Sequence, residues 1–144
     1  MIEAYVDSSV VVRIVLQQPN PLQEWSSIDL AVSSDLVRIE CFRAVERLWR
    51  QHALDDAEFE QKRADVAALL ANMTLVEIDR RSVARAAEPF PSYIATLDAI
   101  HLAAAIEYRR AQPANERPLV FATQDVALAK AAATMHFEVI GVSH

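Results

Sequence analysis

The chain contains one glycine, Gly141, and one cysteine, Cys41, in 144 residues. A Rossmann dinucleotide fingerprint and a P-loop both need several glycines to bring backbone amides against phosphates, so both classes are excluded. A lone cysteine cannot form an internal disulfide, and neither a zinc spacing nor a nucleophile signature surrounds it, which favours a small core residue in a reducing compartment. Membrane-spanning apolar runs and a signal-peptide start are also lacking. We therefore expect a soluble cytoplasmic protein without a membrane partner.

The composition, 53% hydrophobic and 24% charged residues, is that of a globular protein. A chain of this length can bury one sizeable core and is short for two, so we expect a single domain over residues 1–144. The formal net charge of -6 argues against a protein that grips nucleic acid with its whole surface. A negative net charge is still compatible with a local strip of basic residues beside an acidic cleft.

Short apolar segments alternate along the chain with longer segments of helical pattern. Strands are predicted at residues 2–6, 30–33, 74–78, 118–123 and 137–142. Helices are predicted at residues 8–16, 34–53, 54–73, 79–88, 94–106 and 126–134, with a short amphipathic piece at 22–26. This alternation predicts an α/β fold in which a central parallel sheet of about five strands is flanked by helices on both faces. Ligands of such folds bind beyond the carboxyl ends of the strands.

Four acidic residues lie where that geometry makes them interesting: Asp7 after the first strand, Glu40 on the second helix, Asp98 on the fifth and Asp125 after the fourth strand. Asp98 is notable because its helix is apolar almost all the way round. Burying a carboxylate costs free energy unless a cation, a metal or several hydrogen-bond donors contact it. Taken singly, each aspartate also suits a helix cap or first turn. Glu40 also suits a surface ion pair with Arg43. Both interpretations stay open for each residue.

Taken together, the four acids and their surroundings resemble PIN-domain proteins, most closely the VapC-type toxins of bacterial toxin-antitoxin pairs. The segments that carry the resemblance are "YVDSSVVVRI", "SSDLVRIECFRAVERL", "LDAIHLAAA" and "VFATQDVALAKAAATMHFEVIGV", in this order from about Ile2 to Val142. One departure is the 26-residue gap between Asp98 and Asp125, which holds the polar insertion "EYRRAQPANERP".

The resemblance implies a PIN-like domain whose acidic pocket binds Mg²⁺ or Mn²⁺ and cleaves RNA. It also implies a cognate VapB-type antitoxin as partner and a homodimer. Clustered carboxylates repel one another unless cations lie between them, and hard cations prefer oxygen ligands. A metal held in this way can activate water for phosphodiester hydrolysis.

Within that resemblance the four acids receive specific roles as catalytic and metal-binding residues. Asp7 and Asp98 are expected to be direct metal ligands, and Glu40 a ligand or a base that orients water. Asp125 is expected as the fourth ligand, directly or through water. Ser9 and Thr123 are expected to support the ligands from a second layer of contacts.

Two further features of the helices are ambiguous. His101 lies three residues after Asp98, and we expect it to be a core histidine rather than part of the catalytic set. Arg43, Arg47 and Arg50 share a helix face with Glu40 and are candidates for binding the RNA backbone. The alternative for these arginines is a solvated face.

Other functional classes fit the sequence less well. A haloacid-dehalogenase-like phosphatase needs a second aspartate two residues after Asp7, where this chain has Ser9. A response-regulator receiver wants paired acids after the first strand and a lysine after the last, and the only lysines are Lys62 and Lys130. A housekeeping PIN-domain nuclease in RNA processing and a catalytically silent PIN-fold binding module remain as alternatives to the toxin.

Overall fold

A computed structural model describes residues 2–112 and 118–142. Within them, the strands are β1 (Glu3–Val6), β2 (Leu30–Ser34), β3 (Thr74–Val76), β4 (Val120–Ala122) and β5 (Glu138–Ile140). The helices are α1 (Ser8–Val15), α2 (Leu36–Arg50), α3 (Asp56–Ala71), α4 (Arg80–Ala87), α5 (Thr96–Ala111) and α6 (Val126–Thr134). A 3-10 turn spans Gln23–Ser27. The predicted order of elements is confirmed.

The five strands form one sheet in the order β3-β2-β1-β4-β5, and every neighbouring pair is parallel. From β1 the chain first winds outward through β2 and β3, then returns to the other side of β1 to form β4 and β5. The strand order therefore reverses between β1 and β4, and a crevice opens there at the carboxyl ends of the strands. This crevice is the expected position of a ligand site.

Helices cover both faces of the sheet, as predicted, because alternate strand residues point in opposite directions. Val6 packs with residues of α1, α2 and α3, among them Val10, Cys41 and Val66. Its neighbour Tyr5 packs on the other face, in a cluster that includes residues of α5 and α6. Near-continuous apolar strands of this kind are typical of parallel sheets buried on both sides.

Several predicted element boundaries differ from the observed ones, some too wide and one too narrow. β3 ends at Val76 instead of residue 78, and β4 and β5 are each three residues long. α5 runs on to Ala111, so the polar insertion begins as helix. Residues 113–117 of that insertion lie outside the described residues. No helix within residues 2–112 and 118–142 is long and apolar enough to cross a membrane.

Gly141 lies just after β5, with φ at 110°, in a region of backbone conformation that favours glycine. A Cβ atom at this position would collide with the carbonyl group of Thr123. The Thr123 amide in turn donates to the carbonyl of Ile140 at 3.0 Å. The single glycine thus allows the end of β5 to pack closely against the segment that follows β4.

Candidate active site

Asp7 lies at the end of β1 in the crevice and is almost completely buried, with 2% of its surface exposed. The hydroxyl of Ser9 donates to Oδ1 at 2.6 Å, and the hydroxyl of Thr123 donates to Oδ2 at 2.9 Å. Burial raises the pKa of the Asp7 carboxyl, while the hydrogen bond from Ser9, the nearby His101 and the hydrogen bond from Thr123 act in the opposite direction. Asp7 occupies the N-cap position of α1, but its side chain makes no capping hydrogen bond there. Its carboxylate is instead held by two hydroxyl donors.

The same two hydroxyls tie Asp7 to the loop that follows β4. The backbone N–H of Gln124 donates to Ser9 Oγ at 3.0 Å, and the N–H of Asp125 donates to Thr123 Oγ1 at 3.0 Å. Each hydroxyl therefore accepts from a backbone amide and donates to the buried carboxylate. Ser9 and Thr123, expected from sequence to support the acids, both contact Asp7.

Asp125 begins α6 as its N-cap, because its Oδ1 accepts a hydrogen bond from the backbone N–H of Leu128 at 2.9 Å. The capping interpretation is correct for this residue. Its negative charge nevertheless acts on Asp98 across the crevice and raises the pKa of that carboxyl. Capping and a role in an acidic site are therefore compatible for Asp125.

Asp98 lies in the first turn of α5, whose N-cap position is occupied by Ala95. It is half-buried, and burial is the largest cause that raises the pKa of its carboxyl to about 6. The negative charges of Asp125, Asp7 and Glu40 raise the pKa further, and His101 opposes them. Asp98 is therefore not a side-chain cap, and it is electrostatically coupled to the other three acids.

Glu40 contacts His101 rather than Arg43. Its Oε1 lies 2.6 Å from Nε2 of His101, whereas the described part of the chain contains no ion pair between Glu40 and Arg43. Of the two interpretations left open for Glu40, the surface pair with Arg43 is thus wrong, because α2 turns Glu40 toward α5. His101 is 1% exposed, which confirms it as a core residue.

Tyr5 is the site neighbour that sequence reasoning missed. Its hydroxyl lies 2.8 Å from Nδ1 of His101, and the residue is completely buried. A signal was present, because a tyrosine inside an apolar strand usually needs a hydrogen-bond partner for its hydroxyl. The sequence did not indicate that this partner comes from a position 96 residues away.

The three candidate RNA-binding arginines of α2 are exposed. Arg50 stacks over the ring of Trp49 at 4.8 Å, and its Nε lies 3.9 Å from Oε1 of Glu46. The contacts of Arg50 therefore agree with the interpretation that these arginines lie on a solvated helix face. Arg43 and Arg47 lie about 5 and 10 Å along the helix axis from Glu40, at 1.5 Å per residue, and remain candidates for contact with a nucleic-acid backbone.

The residues of the crevice fit a hard divalent cation. Within residues 2–112 and 118–142, no group of three or more histidine, cysteine, aspartate or glutamate side chains is arranged to hold a metal ion. Mg²⁺ does not require such a group, since it usually keeps several waters and uses one or two carboxylates. Burial raises the pKa of Asp7, and burial together with the charges of Asp125, Asp7 and Glu40 raises that of Asp98. A divalent cation beside Asp98 would offset that repulsion.

Comparisons with known proteins show the family of this chain. The PIN domain model matches residues 4–133. The chain therefore belongs to the PIN-domain family, as its sequence resemblance implied. It is 34% identical over 108 residues to Ribonuclease VapC46 of Mycobacterium tuberculosis, a match that covers 73% of this chain and 75% of that protein.

Solved structures share the fold at low sequence identity. VapBC2 from Rickettsia felis, bound to a DNA fragment from their promoter, aligns with a TM-score of 0.68 and 11% identity over 100% of both chains. A toxin-antitoxin complex from Klebsiella pneumoniae aligns with a TM-score of 0.62 and 16% identity, covering 99% of this chain and 97% of that chain. The α/β architecture described above is thus shared with these solved structures.

Thr123→Val tests the hydroxyl that joins Asp7 to the start of α6. The substitution keeps the shape but leaves the Asp125 N–H without its acceptor and Asp7 without one donor. We expect a loss of roughly 1–3 kcal/mol in the free energy of unfolding and a 10- to 100-fold weaker affinity for Mn²⁺. Urea unfolding and Mn²⁺ titration measure the two effects.

The matched control is Thr134→Val at the end of α6, which removes a hydroxyl bonded to the carbonyl of Ala131 in the same helix. We expect wild-type Mn²⁺ affinity for this control. Equal Mn²⁺ affinity in both variants would contradict a supporting role for Thr123.

Proposed function

We propose that this protein is a metal-dependent endoribonuclease, the toxin component of a VapBC-type toxin-antitoxin system. The observation that carries the proposal is the grouping of four acids at the switch point of the sheet, where the charges of Asp125, Asp7 and Glu40 act on Asp98. The similarity to a protein named as a VapC ribonuclease supports the choice of RNA as the substrate. The likeness to toxin-antitoxin structures concerns the fold and agrees with this assignment.

In this proposal the four carboxylates form the binding site for Mg²⁺ or Mn²⁺. Asp7 and Asp98 are direct ligands, Asp125 is a ligand directly or through water, and Glu40 is a ligand or orients the attacking water. When bound, the cation would act as a Lewis acid and lower the pKa of water near the phosphodiester. Asp125 can take this role while it caps α6, because its capping contact uses Oδ1.

The protein's own residues supply orientation and electrostatics. Ser9 and Thr123 hold both oxygens of the Asp7 carboxylate, so its direction is fixed before any ligand arrives. Arg43 and Arg47 on α2 would contact RNA phosphates next to the acids, where their charge offsets repulsion between the acidic crevice and the substrate. Single-stranded or loop RNA is the expected substrate, because its unstacked bases and backbone are accessible to a protein site.

We further propose two protein partners. A cognate VapB-type antitoxin would block the crevice, and an arginine side chain is a suitable inhibitor because it pairs with carboxylates. A second copy of this chain would complete a homodimer. Co-expression with the antitoxin and size measurement of the complex test both partners.

The test of the proposed function combines RNA cleavage with growth. The purified protein is expected to cleave single-stranded RNA with Mn²⁺ and to lose activity in EDTA, and its expression alone is expected to arrest growth. Asp7→Asn serves as the inactive control in both assays.

The outcomes separate the three interpretations of the sequence. Metal-dependent cleavage with growth arrest supports the toxin. Cleavage without growth arrest favours the housekeeping nuclease. A protein that neither binds Mn²⁺ nor cleaves RNA would be the silent PIN-fold module, and the proposal would be wrong.

A further inference from the structure

Three side chains from three elements form a buried hydrogen-bonded line that ends at Glu40. The Tyr5 hydroxyl of β1 contacts Nδ1 of His101 on α5 at 2.8 Å. Nε2 of the same ring contacts Oε1 of Glu40 on α2 at 2.6 Å. Tyr5 and His101 are 0% and 1% exposed, so neither ring can reach a bound RNA.

Packing restricts both rings in this line. The Tyr5 ring stacks on Phe121 of β4 at a centroid distance of 5.5 Å and an interplanar angle of 15°. The His101 ring meets the Tyr5 ring edge-on, at 5.8 Å and 71°. The imidazole therefore has one orientation in which its two nitrogens face two different partners.

The partners also determine where the protons lie. A carboxylate only accepts hydrogen bonds, so the bond to Glu40 needs a proton on Nε2 of His101. Burial raises the pKa of the Tyr5 hydroxyl, which keeps its proton and can donate it to Nδ1. The contact to Glu40 thus requires a proton on Nε2, whether the Tyr5 hydroxyl donates to Nδ1 or accepts from it.

We propose that Tyr5 and His101 are positioning residues that hold the Glu40 carboxylate toward the acidic crevice. This proposal rests on the proposed function, in which Glu40 binds the metal or orients water. With Oε1 bound to His101, Oε2 has no hydrogen bond within the described residues and is available to a ligand. Partners that orient metal ligands in this way typically change metal affinity or activity 10- to 100-fold when they are removed.

Two substitutions of His101 separate its two hydrogen bonds. The amide nitrogen of glutamine lies as many bonds from Cβ as Nε2, so His101→Gln keeps a donor toward Glu40. The amide nitrogen of asparagine corresponds to Nδ1, so His101→Asn keeps a contact toward Tyr5 and loses the one to Glu40. Both variants remove the buried ring, and both are expected to be less stable than the wild type.

We expect His101→Asn to weaken Mn²⁺ binding and slow RNA cleavage 10- to 100-fold, and His101→Gln to recover most of both losses. Mn²⁺ binding is measured by electron paramagnetic resonance at a temperature where each variant is folded. His52→Asn is the control, because His52 is exposed and has a φ of 60°, a conformation that asparagine tolerates.

A second readout needs neither metal nor RNA. Long-range ¹H–¹⁵N NMR of the histidine rings is expected to show His101 with its proton on Nε2 in the wild type and to show a changed pattern in Tyr5→Phe. A wild-type ring without a proton on Nε2 would overturn the proposed donation to Glu40.

The outcomes distinguish this proposal from the proposed function. Equal Mn²⁺ affinity and cleavage in His101→Asn and His101→Gln, with a functional wild type, would overturn the positioning role alone and leave His101 as packing. A wild type that binds no Mn²⁺ would overturn the proposed function and this role with it. The NMR pattern would still report the hydrogen bonds.

Discussion

Asp98→Asn is expected to abolish RNA cleavage and yet leave the metal-free protein at least as stable as the wild type. Loss of the carboxylate charge removes a metal ligand, so cleavage should fall below detection and the Mn²⁺-induced rise in melting temperature should shrink. In the metal-free protein the same change removes, from a half-buried position, a charge that Asp125, Asp7 and Glu40 repel. The two effects have opposite signs, which makes the variant informative.

The size of the stability gain follows from the pKa. Burial and the neighbouring acids raise the pKa of Asp98 from 3.8 to about 6. The carboxyl is therefore ionised at pH 7, and its charge costs roughly 1–2 kcal/mol after allowance for solvent screening of a partly exposed group. We expect the melting temperature of Asp98→Asn in EDTA to exceed that of the wild type by about 2–6 °C. Thermal melts in EDTA and in Mn²⁺ measure both effects.

Asp79→Asn is the matched control for this variant. Asp79 caps α4, and the hydrogen bond from the Ser82 backbone is the main cause that lowers the pKa of its carboxyl. Substitution at Asp79 is therefore expected to give no rise in melting temperature and to preserve RNA cleavage. Cleavage by Asp98→Asn at the wild-type rate would remove Asp98 from the site.

The fold was largely predictable because its signals are local. Alternating apolar strands and amphipathic helices indicated the parallel sheet and its two helical layers. Strand ends were less predictable, since β4 and β5 end where pairing with their neighbours stops, which depends on tertiary structure. The length of α5 was underestimated because its last turns are polar, although Arg109 and Arg110 suit the end of a helix.

The acidic residues stood out as candidates because Asp7 and Asp125 follow strands while Glu40 and Asp98 lie early in helices, in the order typical of the family. Their roles stay predictions. The support for Glu40 was not predictable, because Arg43 lies one turn away on the same helix, whereas His101 is 61 residues distant in sequence. Sequence periodicity describes which residues share a face. It does not describe which face of α2 meets which face of α5, and this determined the partner of Glu40.

Metal binding and fold stability are expected to respond to pH in opposite directions. Because the pKa of Asp98 in the folded protein lies above its ordinary value, its contribution to metal-free stability is greatest below about pH 4 and is lost as the pH rises through about 6. The raised pKa of Asp7 acts with the same sign. The metal-free melting temperature should therefore fall between pH 5 and pH 7.

Binding of Mn²⁺ requires the deprotonated carboxylate, so the metal must displace the Asp98 proton at low pH. Loss of one proton with a pKa of about 6 predicts an Mn²⁺ affinity roughly tenfold lower at pH 5 than at pH 7, and the Mn²⁺-induced rise in melting temperature should grow over the same range. In Asp98→Asn the part of this pH dependence due to Asp98 should disappear. Melting curves with and without Mn²⁺ at pH 5, 6, 7 and 8 measure how the metal-free melting temperature and the Mn²⁺-induced rise each depend on pH.

An Mn²⁺-induced rise in the wild type that stays constant from pH 5 to pH 7 would show that metal binding displaces no proton, and Asp98 would not be a ligand.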